Sequence, residues 1–204
     1  MKILLVGGFL GAGKTSLIRS VLQGIAVSGG TAAIIENEIG ENGIDDQLLA
    51  ESAFEITPLF GGCVCCQISG DLISAVLRIR TELAPDWLII EATGIAFLSE
   101  LRELLEARKD LGSAVFGIAV VDITRWSRLY RAMPELMRNQ LEGAEIILIN
   151  KTDVREPELH ELEELRGLGQ KNAVLLPCSP AVKTSGRLWE TITSILGGEN
   201  ESQL

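Results

Sequence analysis

The segment from residue 8 to residue 15 reads Gly-Phe-Leu-Gly-Ala-Gly-Lys-Thr and matches the phosphate-loop pattern GxxxxGK[ST]. Glycines let consecutive backbone N–H groups point at one anion, and the N-terminus of a following helix adds partial positive charge. Lys14 can reach the β- and γ-phosphates of a nucleotide, and the Thr15 hydroxyl can bind Mg²⁺. The alternative is a glycine-rich turn that merely precedes Lys-Thr. We predict a nucleoside-triphosphate site formed by Gly8, Gly11, Ala12, Gly13, Lys14, Thr15 and Ser16.

A second segment with chemical potential covers residues 88–94 and reads Leu-Ile-Ile-Glu-Ala-Thr-Gly. Its apolar part predicts a buried strand, and Glu91 at the end of that strand can bind Mg²⁺ directly or through water. Gly94 can let a backbone N–H approach a γ-phosphate, so this segment could respond to hydrolysis. A helix-capping acid followed by a turn glycine is the alternative interpretation.

A third segment, residues 150–153, reads Asn-Lys-Thr-Asp after the apolar run Ile-Ile-Leu-Ile. The Asp153 carboxylate can accept hydrogen bonds from both N1–H and the exocyclic amine of guanine, a pair that adenine does not offer. Lys151 can lie over the base, and Asn150 can tie this segment to the phosphate loop. After the next predicted strand, Ser179 is a candidate for backbone contacts to the guanine oxygen. The alternative is an ordinary strand-to-helix turn capped by Asp153.

Three of the four cysteines lie within four residues, in the segment Gly-Gly-Cys-Val-Cys-Cys that ends at Cys66. Thiolates select Zn²⁺, Cu⁺ and similar soft ions. Spacing alone favours Cys63 with Cys65, since the adjacent Cys65 and Cys66 can hold one ion only if the backbone turns sharply. The alternative is that all three are small buried residues.

Four-coordinate zinc would need further ligands, and carboxylates are the main supply. Glu36, Glu38 and Glu41 lie within six residues after the second predicted strand, and the alternative is an exposed acidic loop. The single histidine, His160, lies in an acidic helical pattern that predicts a solvated side chain.

Short apolar runs alternate with helical patterns along the chain, which predicts an α/β fold, a three-layer sandwich with a mostly parallel sheet. The motifs all follow predicted strands, where such sheets bind their ligands. Strands are predicted at 2–6, 31–35, 54–59, 87–90, 115–121, 145–149 and 173–176. Helices are predicted from 16 onward and at 72–83, 97–107, 126–141 with a break at Pro134, 156–165 and 187–196. We predict one domain over residues 1–196 and a polar tail over 197–204.

The composition narrows the class of protein. The 204 residues carry 18 basic and 28 acidic side chains, a net charge of −10, which disfavours binding to nucleic acids and to anionic membranes. No apolar run reaches the roughly 18 residues of a membrane span. The clustered cysteines are not a disulfide framework and are typical of a reducing compartment, so a cytoplasmic location is expected.

Taken together, the motifs resemble the CobW/HypB/UreG family of P-loop GTPases, and most closely its CobW-like and YjiA-like members. The matching pieces are GGFLGAGKTSLI, IIENEIGENGIDDQLL, GGCVCC, EATG and NKTD, in the family's order. The resemblance covers about residues 2–195 and implies a SIMIBI-type P-loop NTPase fold. It also implies a GTPase that uses GTP, GDP and Mg²⁺.

The resemblance further implies that the protein handles a transition metal, with Cys65, Cys66 and Glu36 as leading ligands and Cys63 and Glu41 as secondary ones. Thiolate chemistry favours Zn²⁺, with Co²⁺ as the rival. Residues 36–46 would form the first switch, while Glu91 and Gly94 would belong to the second. The catalytic candidates are Lys14, Glu91 and Asp46, with Asp45 as an alternative base.

The expected function is that of a GTP-gated metallochaperone that serves a client metalloenzyme or a cofactor-pathway protein. Larger relatives carry a second, C-terminal domain, so client recognition by that domain is expected to be absent or supplied by another protein. Histidine-rich stretches are also missing, which argues against metal storage. A nucleotide-dependent homodimer is expected by analogy. The alternatives are a GTP-switched docking module with structural or redox cysteines, and a small-molecule kinase.

Overall fold

The apolar runs of the sequence form the strands of one sheet in the computed structural model, which describes residues 1–36, 55–58, 67–92, 97–179 and 187–198. Seven strands lie in the order β3-β2-β4-β1-β5-β6-β7, and each neighbouring pair is parallel. The strands are β1 (Lys2–Gly7), β2 (Ala32–Glu36), β3 (Glu55–Pro58), β4 (Trp87–Glu91), β5 (Val115–Asp122), β6 (Ile146–Asn150) and β7 (Val174–Pro177).

Helices cover both faces of this sheet. They are α1 (Lys14–Val27), α2 (Gln67–Glu82), α3 (Leu98–Glu106), α4 (Trp126–Ala132), α5 (Pro134–Leu141), α6 (Leu159–Leu168) and α7 (Arg187–Gly198), with a 3₁₀ turn at Lys109–Leu111. None of the described helices is both long and apolar enough to cross a bilayer.

The burial pattern explains why this arrangement forms. Every residue of β4, β5 and β6 is buried, as expected for central strands of a parallel sheet covered on both faces. One core packs α1 and α7 against one face of the sheet, around side chains such as Leu17 and Trp189. A second core packs helices α2 to α6 against the other face, around side chains such as Val76 and Met137. The predicted three-layer α/β fold is confirmed.

Several element boundaries differ from the sequence-based expectation, most of all at α2, which was predicted over 72–83 and spans Gln67–Glu82. The helix predicted from residue 156 begins at Leu159, because Glu158 is its N-cap and forms a reciprocal capping box with Glu161. The last helix continues to Gly198, two residues into the segment predicted as a polar tail. The break predicted at Pro134 is present, since this proline occupies the first turn of α5 and has no N–H to donate to α4.

Candidate functional site

The phosphate loop joins β1 to α1 at the carboxyl edge of the sheet, and its glycines are structurally required. Gly8 has φ of 136°, and a Cβ there would overlap the Val120 carbonyl oxygen on β5. Gly13 has φ of 105° and is the N-cap of α1, with no side chain hydrogen-bonded to the helix end. The loop therefore keeps the backbone close to the sheet and leaves the helix N-terminus without a side-chain cap.

Lys14 and Glu91 come together beneath this loop. Their side chains are each 4% exposed, and Lys14 Nζ lies 3.9 Å from Glu91 Oε1. The pairing follows from the sheet, because Val6 at the end of β1 is the register partner of Glu91 at the end of β4. The buried ammonium and carboxylate attract each other at a distance longer than a hydrogen bond, so Lys14 can turn toward an anion in the loop.

Asn150 links the segment after β6 to the phosphate loop. Its side chain is buried, and Nδ2 donates a 2.7 Å hydrogen bond to the Ala12 carbonyl. This contact between residues far apart in the sequence is the one expected from the motif. Residues 150–153, which we call the base loop, therefore lie against the phosphate loop.

Lys151 is held by a contact that the sequence analysis did not anticipate. Its Nζ donates a 2.6 Å hydrogen bond to Oδ2 of Asp122, the last residue of β5. Thr124 donates to Oδ1 of the same carboxylate from its hydroxyl, at 2.6 Å, and from its backbone N–H, at 3.0 Å. Burial alone would raise the pKa of Asp122, but the hydrogen bonds from Lys151 and Thr124 hold that pKa below its ordinary value.

Asp153 is exposed in the turn that follows Lys151. The turn is tied to β7, because the Thr152 hydroxyl donates a 3.0 Å hydrogen bond to the Cys178 carbonyl. Ser179, the next residue along the chain, is half-buried and lies two residues past the end of β7. The residues predicted to contact the phosphates and the base, as far as the structure describes them, thus all follow the carboxyl ends of β1, β4, β6 and β7.

Arg125 is a second residue that the sequence analysis missed. Its Nη1 donates a 3.1 Å hydrogen bond to the Leu10 carbonyl, and its guanidinium lies 5.7 Å from the centre of the Phe9 ring. It therefore braces the outer side of the phosphate loop. Asp122 could have been found by the rule that found Glu91, namely an acid at the end of an apolar strand, whereas nothing in the sequence signals the Arg125 contact.

Several predicted site residues cannot be compared with the structure. Gly94, Asp46, Glu41 and the three clustered cysteines, Cys63, Cys65 and Cys66, lie outside the described residues. Glu36 is described only as the last residue of β2, where it is the register partner of Glu91. Within the described part of the chain, no cluster of three or more His, Cys, Asp or Glu side chains could hold a metal ion. His160 is exposed there and lies 3.4 Å from Glu158.

Comparison with known families and curated proteins gives a consistent result. The model of the CobW/HypB/UreG nucleotide-binding domain matches residues 2–174. The zinc chaperone YjiA of Escherichia coli is 37% identical over 169 residues, covering 78% of this chain and 52% of that protein. The zinc-regulated GTPase metalloprotein activator 1 of Dictyostelium discoideum is 29% identical over 205 residues, covering 81% and 43%. The chain therefore spans about half the length of these curated relatives.

Solved structures share the fold. The hydrogenase maturation factor HypB of Archaeoglobus fulgidus superposes with a TM-score of 0.67 at 16% identity, covering 96% of this chain and 90% of that one. Zn(II)-bound YjiA GTPase of E. coli gives 0.59 at 27% identity, covering 87% and 57%. A Zn(II)-bound YjiA variant with alanine at one glutamate and two cysteine positions gives 0.60 at 27% identity, covering 88% and 57%.

Proposed function

This chain belongs to the CobW/HypB/UreG family, and from that premise we propose that it binds GTP and hydrolyses it to GDP and phosphate. One observation carries the proposal, the 2.7 Å hydrogen bond from Asn150 to the Ala12 carbonyl, which joins the base loop to the phosphate loop. A base-reading segment and a phosphate-binding segment in direct contact form one nucleotide site. Slow turnover is expected until a partner or client completes the site.

The base loop supplies the guanine preference. Asp153 is exposed in a turn, so its carboxylate can accept hydrogen bonds from guanine N1–H and from the exocyclic amine together. The Lys151 stem lies over the base, and Ser179 contributes backbone contacts to the guanine oxygen. Adenine would present no matching pair of donors to Asp153, which argues against an ATP-dependent small-molecule kinase.

The phosphate end of the site is held by the glycine-lined backbone and by Lys14. The Thr15 hydroxyl and the Glu91 carboxylate are hard oxygen donors on neighbouring segments, the donor set that Mg²⁺ takes, and we assign these two residues to the ion. Mg²⁺ bound there would neutralise charge on the β- and γ-phosphate oxygens. Lys14 orients the same oxygens, and the Gly94 N–H and Asp46 stay candidates for sensing and attacking chemistry.

We further propose that nucleotide state gates a thiolate site for a metal cargo. The leading ligands are Cys65, Cys66 and Glu36, with Cys63 and Glu41 as secondary ones. Support comes from β2, because Glu36 is the register partner of Glu91, so a shift at the γ-phosphate is one strand away from a cargo ligand. In the sequence, the cysteine segment follows β3. The last residue of β3, Pro58, is the other register partner of Glu36.

The relatives support zinc as the cargo. YjiA is named as a zinc chaperone, and a structure of YjiA GTPase with Zn(II) bound is known. Co²⁺ is the rival ion. The client is a metalloenzyme or a cofactor-pathway protein, in keeping with the relative described as a metalloprotein activator. A nucleotide-dependent homodimer stays a prediction.

Base selection is tested with Asp153→Asn. The amide should lower GTP affinity about 100-fold, because two hydrogen bonds to a charged acceptor are lost, and should raise affinity for xanthosine triphosphate, whose C2 carbonyl accepts from the amide. Asp110→Asn, an exposed aspartate that pairs with Arg108, is the control. If the variant still prefers GTP over both ATP and xanthosine triphosphate as the wild type does, Asp153 does not select the base, and the small-molecule kinase again becomes the better interpretation.

Gating is tested by titrating Zn²⁺ with and without a non-hydrolysable GTP analogue, and GTP analogue with and without Zn²⁺. Linkage requires the two ratios to be equal. Cys65→Ser with Cys66→Ser should remove both the high-affinity zinc and the linkage, whereas Cys178→Ala, at the remaining and buried cysteine, should keep them. Equal zinc affinities in the two nucleotide states would contradict the gate. Client activation that survives the double serine variant would favour the docking module instead.

A further inference from the structure

We propose that Asp122 is a positioning residue for base recognition, which acts by fixing the Lys151 ammonium so that the lysine stem lies across the face of the base. The inference rests on the proposed GTP binding and deepens it. It assigns a role to Asp122 at the end of β5, a residue that belongs to neither the phosphate loop nor the base loop.

The two oxygens of the Asp122 carboxylate have separate partners. Oδ2 accepts from Lys151 Nζ at 2.6 Å, while Oδ1 accepts both the hydroxyl and the backbone N–H of Thr124. Asp122 is also the register partner of Asn150, so β5 and β6 end side by side and Lys151 is the first residue past the sheet. Thr124 thus orients the carboxylate, and the carboxylate presents one oxygen to the lysine.

The backbone of Lys151 is fixed as firmly as its ammonium. It has φ of 65°, in the left-handed region that is unfavourable for a residue other than glycine. The turn that holds it there is closed by a 3.0 Å hydrogen bond from the Val154 N–H to the Lys151 carbonyl. The preceding Asn150 carbonyl accepts the Ile123 N–H at 3.2 Å, which anchors the base loop to the turn that carries Asp122.

Only the methylene stem of Lys151 remains adjustable when both of its ends are held. The side chain is 39% exposed, so part of it is open to a ligand although its ammonium is held by Asp122. An unrestrained lysine loses rotamer freedom when it orders against a ligand, and that loss of entropy weakens binding. The contact with Asp122 orders the stem before the nucleotide arrives, and its loss should weaken binding about tenfold.

A matched carboxylate at the opposite edge of the sheet separates positioning from simple bracing. Asp86 accepts the backbone N–H and the hydroxyl of Thr31 at 2.8 and 3.0 Å, just as Asp122 accepts those of Thr124. Within the described residues no lysine side chain hydrogen-bonds to Asp86. The same substitution at the two aspartates therefore removes similar threonine contacts but breaks a lysine contact at only one of them.

The test compares Asp122→Asn with Asp86→Asn in titrations with fluorescent GDP and GTP. We expect Asp122→Asn to raise both dissociation constants by the same factor, about tenfold, because the lost contact is at the base and not at the phosphates. In steady-state hydrolysis the change should appear in KM and much less in kcat. Asp86→Asn should bind as the wild type does. Wild-type affinity in Asp122→Asn overturns the inference.

The double variant with Lys151→Met decides whether Asp122 acts through the lysine. In the Lys151→Met background, Asp122→Asn should cost no further affinity, because the shared contact is already absent. A full additional loss overturns the inference and assigns Asp122 a different role. If Asp122→Asn folds poorly, Thr124→Ala can replace it, because this variant keeps the lysine contact and removes the hydroxyl that orients the carboxylate. Thr124→Ala is expected to weaken the binding of both nucleotides about threefold. Equal affinities in that variant and the wild type would count against the inference.

Failure of the inference and failure of the proposed function give different results. If the wild-type chain binds neither GDP nor GTP, the proposed function fails and the inference fails with it. If the wild type binds both and Asp122→Asn binds them equally well, only the inference fails.

Discussion

Ion pairs lie at both ends of the parallel strands, at their amino-terminal ends (the amino edge) and at their carboxyl-terminal ends (the carboxyl edge). The two pairs differ in geometry. At the amino edge, Arg102 donates to Glu145, to the Gly143 carbonyl at 3.0 Å and to the Val115 carbonyl at 3.2 Å. At the carboxyl edge, Lys14 lies 3.9 Å from Glu91, too far for a hydrogen bond. The planar guanidinium of Arg102 hydrogen-bonds to several groups at once and so holds them together. The Lys14 ammonium is not hydrogen-bonded to Glu91 and can therefore turn to bind a ligand.

The acids of the two edges differ in the same way. Glu145 at the amino edge is buried, and that burial raises its pKa despite the Gly117 N–H and the Arg102 charge. Asp122 at the carboxyl edge keeps a pKa below its ordinary value, because hydrogen bonds from Lys151 and Thr124 outweigh its burial. The two carboxylates are equally buried, and the difference lies in their partners, because the Arg102 side chain is 18% exposed and the Lys151 side chain 39%.

Arg102→Ala should have the largest effect on stability. It leaves the Glu145 carboxylate buried without its cation, which typically costs about 3–5 kcal/mol. Urea unfolding should show this loss, while the folded fraction should bind fluorescent GDP with wild-type affinity. Weaker nucleotide binding without a loss of stability would remove the distinction between the two edges.

Lys14→Ala should have the largest effect on GTP hydrolysis and slow it about 10²–10³-fold. The substitution removes the ammonium that would stabilise the negative charge developing on the phosphate oxygens. Its free energy of unfolding should fall less than that of Arg102→Ala, since the ion pair it breaks is a long one. Single-turnover hydrolysis and urea unfolding measure the two quantities, with the exposed Lys171→Ala as control. A stability loss as large as that of Arg102→Ala would make Lys14 a brace.

Glu161→Gln sharpens the comparison, because Glu161 is a bracing acid that lies behind the base loop. Burial on its own would raise the pKa of Glu161, but Arg155, Ser127 and the Glu158 N–H lower it from 4.5 to about 2. The folded state binds that proton less tightly than the unfolded state, so its stabilisation is complete above pH 4.5 and is lost toward pH 2. We expect Glu161→Gln to cost about 2 kcal/mol at pH 7 and much less at pH 3.

Urea unfolding of the wild type and of Glu161→Gln at the two pH values measures that difference. Glu163→Gln, on the same helix, is the control, and the difference between wild type and control should not change with pH. A penalty for Glu161→Gln that stays constant between pH 7 and pH 3 would contradict the assigned ion pair.

Asn150→Ala should have the smallest of these effects. It removes the side-chain donor to the Ala12 carbonyl, a contact worth about 1–2 kcal/mol in a buried site, and should weaken GDP and GTP about tenfold at most. Isothermal titration measures the loss, with the exposed Asn172→Ala as control. Unchanged affinity would mean that the two loops are held together without this bond.

Sequence patterns predicted the parts of the molecule that depend on local chemistry. The apolar runs placed the strands, and the rule that ligands lie at strand ends located Lys14, Glu91 and Asn150 at one edge. The same rule, an acid at the end of an apolar strand, would have found Asp122 but was not applied to β5, whereas Arg125 was missed because its partner lies 115 residues away and no local pattern marks it. The start of α6 was placed too early because the capping box at Glu158 decides it.

The proposed cargo site had a different outcome. Spacing alone favoured Cys63 with Cys65, whereas the family resemblance implied Cys65, Cys66 and Glu36 as ligands, and this ligand set stays a prediction. The parallel register, which a linear pattern does not reveal, adds that Glu36 neighbours Glu91. Sequence supplied the chemistry proposed for that site, and the register of β2 and β4 supplied the position of Glu36 beside Glu91.

The close approach of Gly8 to β5 has a consequence for how the chain tolerates change. A methyl group at position 8 has no room beside the Val120 main chain, so even the smallest side chain would push apart the two central strands. Val120 is two residues before Asp122, and the displacement would carry the base-holding turn with it. The lack of a side chain at Gly8 thus keeps β1 close to β5, and a substitution there would displace the phosphate loop and the turn that carries Asp122 at once.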